Sequence, residues 1–174
     1  RAGLSVALVG SGRWRAPGHY PSGVYGAMRD LWSGWGMGYA RGDSMIPIVQ
    51  AAAVGGTTTI NSAILADPPE EVIAGWGALG LGDAFPVEGV LSAAQAAAPD
   101  LSAAPAAGAA MAPHAALFLE ALRARGIEGR PTTRAARDCQ GSQQCLQGCK
   151  NGAKQSTNVA LLPRYAELGG RVLS

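Results

Sequence analysis

The chain has 174 residues, of which 48% are hydrophobic and 15% charged, with a formal net charge of +2. That length and composition support one real hydrophobic core in a single domain or a large part of one. The near-neutral balance, with no basic block, excludes an electrostatic case for nucleic acid.

No stretch approaches the roughly 20 apolar residues that a membrane span needs, and the N-terminal "RAGLSVALVG" carries no small-residue cleavage site. Three cysteines, an odd number in a chain of this length, do not make a secreted disulfide framework. A soluble protein in a reducing, cytoplasmic setting is the expectation.

Leu4 to Val9 ("LSVALV") is a short, near-continuous apolar run ending in "GSG", the pattern of a parallel strand buried on both faces and turned sharply by Gly10 and Gly12. The preceding "RAG" reads as a helix tail closed by Gly3, so the chain is expected to start in the middle of a βαβ unit. Residues 13–50 hold three of the four tryptophans, Trp14, Trp32 and Trp35, which read as core or loop anchors. Val24, Met28, Leu31 and Trp32 are spaced for one short helix, and the rest of this segment reads as a long irregular excursion. A short helix is predicted over Thr57 to Leu65, ended by "DPPEE".

Residues 92–112 are biased to Ala, Pro and Gly and read as broken helix or surface linker. Pro113 to Arg125 is a helix with proline at its first position, apolar Leu117, Phe118 and Leu122, and Gly126 as its stop. Thr157 to Leu168 is a second helix, kinked or divided by Pro163 and followed by the strand "RVLS".

Two stretches carry chemistry. In "AAAVGGTTTINSAIL" (51–65), paired glycines let a ligand approach the backbone, and a helix starting there points unpaired N–H groups at an anion such as a phosphate. The same residues also make an ordinary capped helix start, with Thr57, Thr58 or Thr59 as the cap. In "CQGSQQCLQGCKNGAKQST" (139–157), Cys139, Cys145 and Cys149 follow a C-x5-C-x3-C spacing, wider than zinc pairs usually show, so no metal ligand is assigned and buried free thiols or a reactive pair are the reading. His19 and His114 have no Ser or Asp arrangement around them that suggests a triad.

Taken in order, "AGLSVALVGSG", "VGGTTTINSAI" and "CQGSQQCLQGCKNGAKQSTNVALLPRYAELGGRVL" resemble the flavin-binding part of the glucose–methanol–choline (GMC) family of FAD-dependent oxidoreductases, with "GCKNGAKQST" the most specific piece. The resemblance implies an α/β fold, an incomplete Rossmann-like FAD-binding domain over residues 1–174, with "LSVALV" and "RVLS" as neighbouring parallel strands and the substrate and catalytic domain absent. It implies FAD as cofactor, with Gly55 and Gly56 bringing N–H groups to its phosphates, and Thr57 and Asn61 lying alongside, Asn61 near the isoalloxazine. The implied activity of the parent protein is oxidation of an alcohol to a carbonyl by hydride transfer to flavin. A small-molecule alcohol is then the substrate, and a complementing chain is a candidate partner.

Three features depart from the family pattern. The G-x-G-x-x-G turn is absent, Gly10 stands where an acid is expected to accept from the adenosine ribose, and no counterpart of the catalytic C-terminal part precedes Ser174. No residue is therefore assigned as catalytic base, and the chain is expected to be inactive alone. Two other readings remain: a non-catalytic binding module whose cysteine loop holds a metal or makes a redox contact, and a degenerate remnant without ligand.

Overall fold

The computed structural model describes residues 3–174. Along the chain lie β1 (Ala7–Val9), α1 (Val24–Asp30), β2 (Tyr39–Arg41), β3 (Met45–Pro47), β4 (Ile64–Leu65), α2 (Glu70–Ala78), α3 (Val87–Ala97), β5 (Ala103–Pro105), α4 (Pro113–Ala124), β6 (Thr133–Ala135), α5 (Thr157–Ala160), α6 (Leu162–Glu167) and β7 (Arg171–Leu173). Short 3-10 turns, among them Gly56–Thr59 and Cys145–Gln147, join them. The result is a mixed helix and strand fold.

The expected parallel pair forms. β1 and β7 align Ala7 with Arg171 and Val9 with Leu173, and Gly10 N–H extends the ladder to the Leu173 carbonyl at 2.9 Å. Its burial differs from expectation: Leu8 is 43% and Val9 77% exposed, because only two strands make up this sheet and neither face is covered as in a multi-stranded parallel sheet. The helix tail read at "RAG" falls on Arg1 and Ala2, which lie outside the described residues.

Three further expectations change. The short helix over Thr57 to Leu65 is one 3-10 turn, Gly56–Thr59, after which Ile64–Leu65 pairs antiparallel with β6. Local hydroxyl chemistry accounts for the stop: Thr58 and Thr59 donate back to the carbonyls of Gly55 and Gly56, and Ala63 takes φ +57°, which a helix does not contain. The excursion over 13–50 holds the antiparallel pair β2–β3 in addition to α1. The Ala/Pro/Gly-rich segment 92–112 contains the end of α3 and the strand β5, which joins β6 in a three-stranded antiparallel sheet ordered β4-β6-β5. Pro163 divides the last helical segment as predicted, at Leu161 between α5 and α6.

The core is small. Tyr20, Ala27, Leu31, Ala53 and Ile60 are buried together, with Trp32 and Ala51 packed against them. Trp32 also donates its indole N–H to the Leu146 carbonyl at 3.2 Å, so it does anchor the cysteine loop, whereas Trp14 is 53% exposed. Gly12 abuts the Ala52–Ala53 backbone so closely that a Cβ there would stand 2.1 Å from the Ala53 nitrogen. That contact, with Val54 N–H donating to the Arg13 carbonyl, seats the segment after β1 against the residues that lead into Gly55 and Gly56.

The chain exposes 11825 Å² for a mass of 17.6 kDa. A compact protein of that mass exposes about 7,900 Å² by the usual scaling. Met37, Tyr39, Met45, Ile46, Leu117 and Phe118 are among the large apolar side chains on this extra surface.

Leu31 is fully buried at the centre of the core. Leu31→Ala is expected to lower the unfolding free energy by about 2–5 kcal/mol, read from the urea midpoint at unchanged slope.

Candidate functional site

The glycine-rich segment and the cysteine loop, the two stretches singled out in sequence, come together in space. The join is made by consecutive residues of "AKQSTN". Lys154, 3% exposed, donates from Nζ to the carbonyls of Thr59 (2.6 Å), Asn61 (3.0 Å) and Cys145 (2.7 Å). Thr157 donates its hydroxyl to the Gly55 carbonyl at 2.8 Å, and its N–H to the Thr58 hydroxyl at 3.0 Å. Asn158, 1% exposed, donates to the Tyr20 hydroxyl at 2.8 Å and accepts from the Ser156 hydroxyl at 2.7 Å. Burial raises the Tyr20 pKa, opposed by this Asn158 hydrogen bond.

Gly55 sits where these contacts converge. Its φ is +102°, and a Cβ there would stand 2.6 Å from Asn158 Oδ1 and 2.8 Å from Thr59 Cγ2, so no side chain fits. Gly56, at φ +57°, faces open space. Its N–H is used internally by the Ala53 carbonyl, while among the described residues the N–H groups of Gly55 and Thr57 find no acceptor. Thr57 is exposed, and its hydroxyl accepts from Ala51 N–H at 3.3 Å, leaving its own proton free to donate outward. Asn61 is exposed too; its Oδ1 accepts from Ala63 N–H at 3.0 Å, which leaves its amide NH2 without a partner among the described residues.

Of the four residues predicted from sequence, Gly55 caps the Gly56–Thr59 turn, Gly56 and Thr57 open it, and Asn61 follows it by two residues. Between them they hold four donors that no described residue uses: the N–H groups of Gly55 and Thr57, the Thr57 hydroxyl proton and the Asn61 amide NH2. Free donors of this kind fit a phosphate or the carbonyl and anionic nitrogen edge of a flavin. A cavity of about 140 Å³ adjoins the turn, lined by Thr58, Asn61, Lys154, Gln155 and Thr157 among others.

Sequence reasoning missed Lys154, Thr157, Asn158 and Tyr20. One signal was available: residues 139–166 contain no Asp or Glu, yet include Lys150, Lys154 and Arg164. A lysine in an acid-free, Gly/Ala/Ser-rich stretch has few routes to burial except through carbonyl oxygens.

The cysteines are all free. Cys149 is buried, donates to Asn151 Oδ1 and accepts from Lys154 N–H; Cys145 Sγ accepts from the Arg134 guanidinium at 3.1 Å. No group of three or more His, Cys, Asp or Glu side chains gathers among the described residues. His19, in the 3-10 turn Pro17–His19, and His114, in the first turn of α4, are not part of this turn.

Two predictions follow the geometry. Gly55→Ala is expected to cost about 1–3 kcal/mol of stability, from the positive φ and the clash with Asn158, measured by chemical unfolding. Burial pushes the Lys154 ammonium down from its ordinary 10.5 to about 8, against the opposing fields of Cys145 and Cys149. The unfolded chain then binds this proton more tightly than the folded one. Stability from this group rises as pH climbs from about 8 towards 10.5, by about 1–3 kcal/mol, and is level below that window. Urea midpoints at pH 7.5, 8.5 and 9.5 (about these values) are expected to show the rise in the native chain and not in Lys154→Met.

The family model described as GMC oxidoreductase matches residues 9–174. An uncharacterized GMC-type oxidoreductase of Mycobacterium tuberculosis is 31% identical over 178 aligned positions, covering 100% of this chain and 28% of the relative. An uncharacterized GMC-type oxidoreductase of Sinorhizobium fredii is 32% identical, covering 99% of this chain and 34% of the relative. No solved structure gives a significant match. The chain thus spans about a third or less of the length of the curated relatives it matches. On the match over residues 9–174, the chain belongs to the GMC oxidoreductase family of FAD-binding flavoprotein oxidoreductases, to whose N-terminal, FAD-binding part it corresponds.

Proposed function

We propose that these residues form part of the FAD site of an enzyme that oxidises an alcohol to a carbonyl compound, within an incomplete Rossmann-like domain. The observation that carries this reading is the set of unused donors on Gly55, Thr57 and Asn61, in a segment held by Lys154, Thr157 and Asn158. FAD, when bound, supplies the acceptor for the hydride that leaves the alcohol carbon. Gly55 and Thr57 offer their N–H groups to the anionic part of the cofactor, Gly56 permits its close approach, and Asn61 offers its amide NH2 towards the flavin edge. The whole segment is pre-organised, because its own carbonyls are already occupied by Lys154, Thr58 and Thr157.

In this reading the chain does not turn over alcohol by itself. The surface it exposes beyond that of a compact protein of its mass, including both faces of β1–β7, supports its place inside a larger body. The remainder of the parent enzyme supplies the substrate pocket and the base.

Gly10 is the observation that favours the remnant reading. It extends the β1–β7 ladder and presents no carboxylate to a ribose. An added Cβ there meets nothing within 4 Å, so an acid is sterically admissible. Thermal shift separates the readings. Stabilisation of the chain by FAD following RT ln(1 + [L]/Kd) is expected, and Gly10→Glu is expected to strengthen binding of FAD about ten-fold or more, the worth of a charge-assisted hydrogen bond. No shift with FAD or ADP in either protein, together with a full-length enzyme that purifies without flavin, overturns the proposal.

In the full-length enzyme, Asn61→Ala is expected to lower kcat/KM for the alcohol by about ten- to a hundred-fold, the loss of one hydrogen bond to a charged partner, with flavin retained. Unchanged kinetics in that variant remove Asn61 from the site. Stoichiometric zinc or iron in the purified chain, lost on replacing Cys145 and Cys149, decides for the cysteine-loop module instead.

A further inference from the structure

Lys154 is buried with no carboxylate counter-ion among the described residues. Its ammonium bonds only to neutral carbonyls, and among the described residues no carboxylate lies within salt-bridge distance of it. The groups that face it are the thiols of Cys145 and Cys149 from the cysteine loop and the Arg134 guanidinium from β6, together with the uncharged Thr59 and Asn61 from the glycine-rich segment. Among the described residues Arg134 also has no carboxylate partner, and its Nε is buried with no acceptor there. Two cations therefore stand behind one turn with no carboxylate of the described residues within salt-bridge distance of either.

Burying an ammonium costs several kcal/mol of hydration, which three charge-assisted carbonyl contacts only partly offset. A neutral donor would tie the loop at lower cost. The charge itself therefore calls for an explanation, and the turn it supports is the one that shows donor groups outward.

We propose that Lys154 is the positioning residue of the candidate flavin site: its ammonium clamps the carbonyls of Thr59 and Asn61 so that the Asn61 amide stands outward, and its uncompensated charge selects an anionic ligand at that turn. The ligand half of this inference rests on the flavin-site reading above; the clamp half does not. The side chain touches no reacting atom. It acts through the backbone on either side of Ile60 and through its field.

Two substitutions separate clamp from charge. Lys154→Met removes both. Lys154→Arg keeps the charge but replaces a compact, three-donor ammonium by a planar fork that cannot reach the same three carbonyls. Hydrogen exchange of the amides of residues 59–63 is expected to accelerate about ten-fold or more in both variants, while the amides of β1 and β7 keep their native rates. Binding is probed with ADP, which carries a pyrophosphate, and with riboflavin, which carries no phosphate. Lys154→Met is expected to weaken ADP about ten-fold and riboflavin less than about two-fold, the mark of one lost charge in a partly desolvated site. Lys154→Arg is expected to restore most of the ADP affinity.

Unchanged exchange at 59–63 overturns the clamp, and so does acceleration spread evenly over the chain. Equal weakening of ADP and riboflavin overturns the charge selection. If Lys154→Met fails to fold, Lys154→Arg alone decides: fast exchange at 59–63 with ADP preference kept supports the proposal, and loss of both or of neither overturns it. A native chain that binds neither probe overturns the charge half, while the exchange measurement still decides the clamp and the flavin content of the full-length enzyme still decides the flavin-site reading.

Discussion

One buried ammonium joins the glycine-rich segment to the cysteine loop. Lys154 reaches Thr59, 95 positions away in sequence, and its three carbonyl acceptors belong to two short, glycine-rich segments with little regular structure. Neither segment can fix itself. The turn Gly56–Thr59 is a single 3-10 turn, and the cysteine loop has one more at Cys145–Gln147. Without a central cation their carbonyls would have to find water or other donors, and the relative placement of Gly55, Asn61 and the loop would be open.

The neighbours of Lys154 make the constraint cooperative. Thr157 and Thr58 both donate to the Gly55 carbonyl, so the first turn of α5 is docked on the glycine pair. Asn158 fills the space a Cβ would occupy at Gly55 and passes its own hydrogen bond to Tyr20, in the small core. A path of packed, hydrogen-bonded groups thus runs from the core to the exposed turn. It explains how a chain with few buried residues presents an ordered row of donors. The cost sits in conformations that are uncommon for side-chain-bearing residues, with Ala63 at φ +57° and Cys149 at φ +58° flanking the junction on its two segments.

The remainder of the chain is less self-sufficient. Among the described residues, three small sheets and a modest core leave Leu8 and Val9 of β1, Tyr39 and Ile46 of the hairpin, and Leu117 and Phe118 of α4 exposed. For a sequence so apolar, that exposure accords with a chain that corresponds to the FAD-binding part of a family whose matched members are about three times its length or more. It also explains why the buried-strand reading of "LSVALV" found the right strand and the right parallel partner, yet the wrong environment: hydrophobic patterning records where a segment is meant to be buried, and says nothing about which covering elements are in hand.

The sequence by itself determined the elements whose signals are local, and it singled out the two stretches that the structure brings together. Proline at the start of α4, Pro163 between α5 and α6, and the apolar runs of β1 and β7 encode their structures through nearby residues, so they were legible. The motif pieces around Gly55 and Cys149 were legible as chemistry and as family. Only the tertiary structure decided that these stretches touch, that Thr58 is spent internally while Thr57 and Asn61 face outward, and that a lysine unremarkable in sequence lies buried between them. The predicted helix after Gly55 gave way to a turn and a strand because β6, about 70 residues later, offers Ile64 and Leu65 a ladder that local propensity cannot foresee. Burial of a charge is likewise a property of what surrounds it, and for Lys154 the surroundings come from three separate segments of the chain.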